Sequence, residues 1–223
     1  MGKGVFIVFT GGCFSGKTTT MYKFKEIFEK ELDIPCVFLK EVIRDFPGSE
    51  NISKLREDQD AYLDMQLYTT KQRQDNLLES HYDNKDKNTV VLIDRGMADC
   101  MFYSTYYLKR ENVSKERDID YTILLNYIES CAEFNIQNIY DYILEFTPIE
   151  TNADKEQQKF RPDDIDSIKW KEHELINKWN KLFNEKYNFQ GHYSLINLNN
   201  MTEEELTEWI KNIGKNIKDE YFI

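Results

Sequence analysis

The chain has 223 residues, 40% of them hydrophobic and 31% charged, with nine glycines and four prolines. That is the composition of one folded globular unit, and it excludes collagen-like, mucin-like and wholly disordered chains. Asp plus Glu outnumber Lys plus Arg by 40 to 29, a net charge of −11, so most of the surface repels phosphate backbones and anionic membranes, while a small anion in one basic pocket is still allowed.

Short apolar runs alternate with longer runs of helical period. Strands are predicted at 5–10, 36–41, 89–94, 141–146 and 193–198. Each is nearly continuous in apolar residues, the pattern of parallel strands covered on both faces. Helices are predicted at 17–32, 58–82, 98–109, 119–134, 166–186 and 203–218, with Pro35 closing the first helical stretch and Gly191 setting off the last strand. Alternation of this kind predicts an α/β fold: a parallel sheet of five strands between two layers of helices, joined by right-handed crossovers. No repeat or Pro/Gly/Ser linker interrupts it, so residues 1–223 read as one domain. Two stretches fit neither strand nor helix, 46–55 and 148–165. Both follow strands, at the carboxyl edge where parallel sheets bind ligands, and the second is read as a lid.

Gly11-Gly12-Cys13-Phe14-Ser15-Gly16-Lys17-Thr18 is a full G-x-x-x-x-G-K-[ST] phosphate loop, with a predicted strand before it and a predicted helix after it. Glycines permit the tight turn, backbone N–H groups converge on phosphate, and the helix N-terminus adds positive potential. The expected ATP site is Gly11 to Thr18 with Thr19; Lys17 neutralises the β- and γ-phosphates, and Thr18 offers a hydroxyl to Mg²⁺.

Val90 to Ile93 is an apolar strand ending in Asp94-Arg95. Asp94 at that end is expected to hold Mg²⁺, directly or through water, and Arg95 to clamp an acceptor or the transferring phosphoryl group. The bland alternative is a helix-capping Asp and a surface Arg. Glu41, leaving the second strand, is placed to orient or deprotonate an acceptor hydroxyl, with Arg44 as a substrate anchor; a solvated charged loop is the competing reading. Lys155, Lys159 and Arg161 form a basic cluster in the lid, Arg161 being the arginine expected to close on the phosphates. Phe102, Tyr103, Tyr106 and Tyr107 put an aromatic stripe on one helix, read as core before base-stacking surface. Gln66, Gln72 and Arg73 are weaker candidates for reading a substrate, and His81, His173 and His192 have no ligand spacing.

The four cysteines (Cys13, Cys36, Cys100, Cys131) are scattered without metal spacing, which reads as reduced thiols. The N-terminal MGKGVFIVFT lacks a signal-peptide pattern and no apolar run reaches membrane-spanning length, so a cytoplasmic protein without membrane contact is expected.

With TGGCFSGKTT, EVIRD, IDRG and YDYILEF in this order, the chain resembles the NadR/thymidylate-kinase-like P-loop ATPases. The resemblance implies a P-loop NTPase fold of nucleoside-kinase type and phosphoryl transfer from Mg-ATP to a nucleoside or nucleotide. It implies Lys17 and Thr18 at ATP-Mg²⁺, Asp94 near the metal and Arg161 in the lid. The Glu-Pro-Gly-Gly run of thymidylate kinases is absent, since Val42 follows Glu41, and a single arginine stands in the lid. Three readings therefore stay open: a small-molecule kinase with catalytic residues Lys17, Glu41, Asp94, Arg95 and Arg161; a regulatory NTPase; and a phage-type kinase of modified bases in DNA, which the negative charge disfavours. A homodimer is left open as the assembly.

Overall fold

The structure is a computed structural model that describes residues 2–150 and 165–222. Five strands form one parallel sheet: β1 (Gly4–Thr10), β2 (Cys36–Leu39), β3 (Thr89–Asp94), β4 (Tyr142–Phe146) and β5 (His192–Ile196), in spatial order β2-β3-β1-β4-β5. The helices are α1 (Lys17–Lys30), α2 (Ile52–Glu57), α3 (Gln59–Asn84), α4 (Met97–Tyr106), α5 (Asp118–Asn138), α6 (Ile165–Lys186) and α7 (Glu203–Tyr221). The predicted α/β sandwich with a five-stranded parallel sheet is what forms.

The two-residue period of the strands sorts side chains into two cores. Val5, Ile7 and Phe9 of β1, with Val90 and Leu92 of β3 and Leu144 of β4, meet Met21, Phe24 and Phe28 of α1 and Ile210 and Ile217 of α7. Phe6 and Val8, with Val91, Ile93 and Ile143, meet the other layer: Leu63 and Leu77 of α3, Met101 of α4, Ile128 of α5 and Phe183 of α6. Every residue of β1, β3 and β4 is buried, as their nearly continuous apolar sequence predicts. Cover on both faces does not extend to β2 and β5. They are the edge strands, and their residues are mostly half-buried or exposed.

Boundaries shift where pairing ends. β2 stops at Leu39, the last residue to pair with β3 (Leu39 opposite Ile93), so Lys40 and Glu41 lie beyond the sheet and not in the strand. The chain then makes a 3₁₀ turn at Ile43–Asp45. The stretch 46–55 is less irregular than expected: a second 3₁₀ turn, Ser49–Asn51, leads into α2, whose first turn is capped by the Asn51 side chain accepting the Lys54 N–H at 3.1 Å. Of the predicted lid, residues 151–164 lie outside the described residues. No helix among the described residues is long and apolar enough to cross a membrane.

The edge-to-face ring of Phe24 against Phe9, centroids 5.1 Å apart, packs α1 onto the sheet directly behind the phosphate loop. Replacing the fully buried Phe24 with Ala is expected to lower unfolding free energy by about 3–5 kcal/mol. Ile123→Ala, at a half-exposed position on α5, is expected to change it by under about 0.5 kcal/mol. Urea denaturation of both variants checks the pair.

Candidate functional site

β1 ends at Thr10, and the next six residues turn back over its carboxyl end before α1 starts at Lys17. Two glycines make that turn. Gly11 has φ 131°, and a Cβ there would run into the carbonyl oxygen of Phe146 on β4. Gly16 has φ 74° and is the N-cap of α1. Both lie where L side chains are strained. Phe14, with φ 52°, takes the left-handed conformation without being glycine. Among the described residues no side chain caps the first turn of α1, so its N–H groups and positive end face the loop. α7 differs, because Thr202 and Glu205 close its N-terminus as a capping box.

Lys17 Nζ sits inside the loop, donating to the Gly11 carbonyl at 2.9 Å, the Gly12 carbonyl at 2.6 Å and Ser15 Oγ at 2.9 Å. Burial, with Arg95 close by, lowers its pKa to about 8 against the opposing pull of Asp99, Asp94 and Glu41. Thr18 and Thr19 are exposed at the mouth. The Thr18 hydroxyl donates to Asp94 Oδ2 at 3.4 Å, across 76 residues of chain. Burial raises the Asp94 pKa, and Arg95 opposes that rise. A hydroxyl and a carboxylate side by side are hard oxygen donors, the set Mg²⁺ takes when phosphates and water supply the rest. No group of three or more His, Cys, Asp or Glu among the described residues forms an all-protein metal cage.

Arg95 is the centre of the second half of the site. It is 8% exposed, has φ 74°, and leaves the end of β3 left-handed. Its Nε lies 2.5 Å from Glu41 Oε1, an ion pair by distance whose N–H is not aimed for a hydrogen bond. Its Nη1 donates to Asp99 Oδ1 at 3.2 Å and to the Gly11 carbonyl at 3.5 Å. The Tyr103 ring lies 5.2 Å from its guanidinium. Burial alone would raise the Glu41 carboxyl, but Arg95, Arg73 and Lys17 outweigh it and hold Glu41 below the ordinary carboxylate value. Glu41 is therefore an ionised acceptor beside the loop lysine.

Asp99 carries the network under the loop. It is fully buried at the third position of α4, where its Oδ2 accepts the Gly96 N–H at 3.1 Å and the Thr10 hydroxyl at 2.5 Å. Asn180 of α6 donates to Thr10 Oγ1 at 3.3 Å and to Glu145 Oε2 at 2.8 Å, and the Tyr193 hydroxyl donates to the same Glu145 oxygen at 2.7 Å. A continuous polar line thus runs from Glu41 beyond β2 to Tyr193 on β5, crossing the carboxyl half of the sheet.

Of the residues singled out from sequence, Lys17, Thr18, Glu41, Asp94 and Arg95 come together. Arg44 does not join them: it is exposed on the 3₁₀ turn and makes no ion pair among the described residues. Arg73, a weak sequence candidate, stands in its place, a half-buried guanidinium donating to Cys100 Sγ and acting on Glu41 and Asp99. Arg161, Lys155 and Lys159 lie outside the described residues. Of the aromatic stripe, Phe102 is core, Tyr103 faces Arg95, and the Tyr107 hydroxyl donates to Glu172 at 2.8 Å. His173, which has no ligand spacing in the sequence, stands 3.5 Å from Glu145 Oε1. Asp99, Glu145, Glu172 and Asn180 escaped sequence reading. Glu145 did carry a signal, as the one charged residue in the apolar run Tyr142–Phe146.

The AAA_28 family model, an AAA domain, matches residues 6–194. No curated protein matches the chain. Among solved structures, the chain is similar to deoxyadenosine kinase from M. mycoides solved with dCMP and dCDP (TM-score 0.59, 17% identity, 95% of this chain and 100% of that one). It is similar to thymidylate kinase from Candida albicans (TM-score 0.53, 16% identity, 98% and 94%). It is also similar to a NadR protein in complex with NR (TM-score 0.59, 17% identity, 95% and 51%). At such identities the likeness is one of fold, that of P-loop proteins of nucleoside and nucleotide kinase type.

The buried Asp99 is compensated only as long as Arg95 and Thr10 face it. Asp99→Ala is expected to cost about 3–5 kcal/mol by leaving the Arg95 charge partly uncompensated. Guanidinium chloride denaturation checks this against Asp118→Ala, whose partner Arg110 is exposed and whose loss is expected to leave the midpoint in place.

Proposed function

The chain belongs to the AAA_28 family of AAA domains, and from that membership and the arrangement of its site we propose that it transfers the γ-phosphoryl group of Mg-ATP to a small nucleoside or nucleotide acceptor. One observation carries this reading. The phosphate loop and an ionised carboxylate, Glu41, face each other across the buried Arg95, so a triphosphate donor and a hydroxyl acceptor would share one desolvated space.

Each residue then has a task. Backbone N–H groups of residues 13–18 and the N-terminus of α1 would bind the phosphates. Lys17 would exchange its loop carbonyls for β- and γ-phosphate oxygens, a stronger set of acceptors for an ammonium group. Thr18 and Asp94 would hold Mg²⁺, which when bound spreads the charge developing on the β- and γ-oxygens. Glu41 would accept the proton of the acceptor hydroxyl as its oxygen bonds to the γ-phosphorus and the bond to the β,γ-bridging oxygen breaks, releasing ADP. Arg95 would keep Glu41 aimed and stand near the transferring group.

Local charge supports a small substrate. Three buried or half-buried cations (Lys17, Arg73, Arg95) face three carboxylates (Glu41, Asp94, Asp99). These six charges cancel one another inside a chain of net charge −11. A nucleotide arriving with its own Mg²⁺ suits that balance, and a long polyanion does not.

Lys17→Ala is expected to lower ATP turnover by at least about 100-fold with an unchanged far-UV spectrum; turnover at the wild-type rate would refute the donor site. Glu41→Gln is expected to lower kcat by about 10²–10⁴ while the KM for ATP stays within about threefold. Both are read with an ATP-consumption assay across nucleosides, nucleoside monophosphates, nicotinamide riboside and DNA. Consumption that rises with a small acceptor supports the kinase, acceptor-independent hydrolysis supports the regulatory NTPase, and labelling of DNA supports the third reading.

A further inference from the structure

One carboxylate ties three elements together at the phosphate loop. α6 lays Lys169, Glu172, Ile176 and Asn180, all buried, along its inner face. Gly12 lies directly against its backbone: a Cβ there would be 3.0 Å from the Lys169 carbonyl oxygen and 3.1 Å from the His173 nitrogen. Glu172, 3% exposed, points into the loop. Its Oε2 accepts the Cys13 backbone N–H at 3.0 Å and its Oε1 accepts the Tyr107 hydroxyl at 2.8 Å. The Tyr107 ring in turn lies under the Arg56 guanidinium of α2, 3.4 Å from ring centroid to Cζ.

Cys13 belongs to the stretch whose backbone N–H groups would bind phosphate. It follows Gly12, whose carbonyl takes the Lys17 ammonium, so it stands at the end of the loop where that lysine reaches the β- and γ-phosphates. An anionic oxygen is already on that amide, and it belongs to the protein. A tether between α6 and the loop needs only an acceptor, which a neutral amide would supply without burying a charge. Burial favours the neutral acid here, yet the Cys13 and Tyr107 hydrogen bonds, with Arg95 behind them, outweigh it and keep Glu172 ionised.

The geometry points to Glu172 as a resident anion of the phosphate loop that weakens the binding of triphosphates relative to diphosphates. The inference rests on the triphosphate reading of the loop made above. A γ-phosphate brought to the Cys13 end meets a carboxylate in low dielectric and has to displace it, shifting α6 and the Tyr107–Arg56 contact with it. A diphosphate seated deeper, on the N-terminus of α1, leaves that contact in place. Glu172 is thus a residue specific to the γ-phosphate, placed so that the loop registers which nucleotide it holds.

The test is calorimetric titration of the full chain with MgATP and with MgADP. Glu172→Gln keeps the acceptor and removes the charge. It is expected to tighten MgATP about tenfold, the effect of removing roughly 1.4 kcal/mol of repulsion, and to change MgADP by less than about twofold. Tyr107→Phe releases Oε1 and is expected to tighten MgATP in the same direction by a smaller factor. A Glu172→Gln protein that binds both nucleotides as wild type does, or loses both equally, would show a structural tether and overturn the proposal. Should Glu172→Gln not fold, an unchanged ATP-to-ADP affinity ratio in Tyr107→Phe overturns it instead. A wild-type chain that melts cooperatively but binds neither nucleotide refutes the triphosphate reading, and the role of Glu172 falls with it.

Discussion

A guanidinium taken out of water has to be compensated, and that requirement organises the carboxyl edge of this sheet. Arg95 follows directly on β3 in a left-handed conformation that a non-glycine residue adopts only when its surroundings impose it. Glu41 from beyond β2, Asp99 from α4 and the Gly11 carbonyl from the phosphate loop all converge on it. Because these partners come from separate elements, the charge can be buried only when all of them are in place. Asp99 passes the constraint on through Thr10 and Asn180 to Glu145 and Tyr193, so five strands and two helices are referred to one point.

The consequence is that the site's two halves are positioned by the same contacts that hold the sheet edge together. The loop side is set by local backbone rules: glycines at positive φ and an uncapped helix N-terminus. The Glu41 side is set by electrostatics, since Glu41 lies outside any strand and is held by Arg95 and Arg73 rather than by a ladder of hydrogen bonds. α6 packs its polar inner half against the loop and its apolar inner half, through Phe183, against the core, which lets a helix more than 150 residues away in sequence touch the Cys13 amide of the phosphate loop.

Much of this was legible in the chain. The alternation of apolar runs with helical stretches reports a parallel sheet because buried central strands must be apolar on both faces, and β1, β3 and β4 follow that rule. The phosphate loop could be read residue by residue because its geometry is local: each glycine answers a demand of the adjoining turn. Asp94 and Arg95 were legible because they end an apolar strand. Where reading stopped, the cause was non-local. The end of β2 depends on how far its partner β3 can pair, and α2 was hidden in a short polar stretch whose helix rests on the Asn51 cap.

Sequence alone therefore determined the fold class, the phosphate loop and the candidacy of Lys17, Glu41, Asp94 and Arg95, since these follow from periodicity and from backbone rules spanning a few positions. Tertiary structure decided which charges meet. Arg44 and Arg73 are equivalent as letters, yet one is exposed on a turn and the other stands half-buried by Cys100, acting on Glu41. Glu172 and Asn180 look like ordinary polar positions on an amphipathic helix until α6 is laid over Gly12. Compensation of buried charge is a property of neighbours in space, and no local pattern along the chain records it.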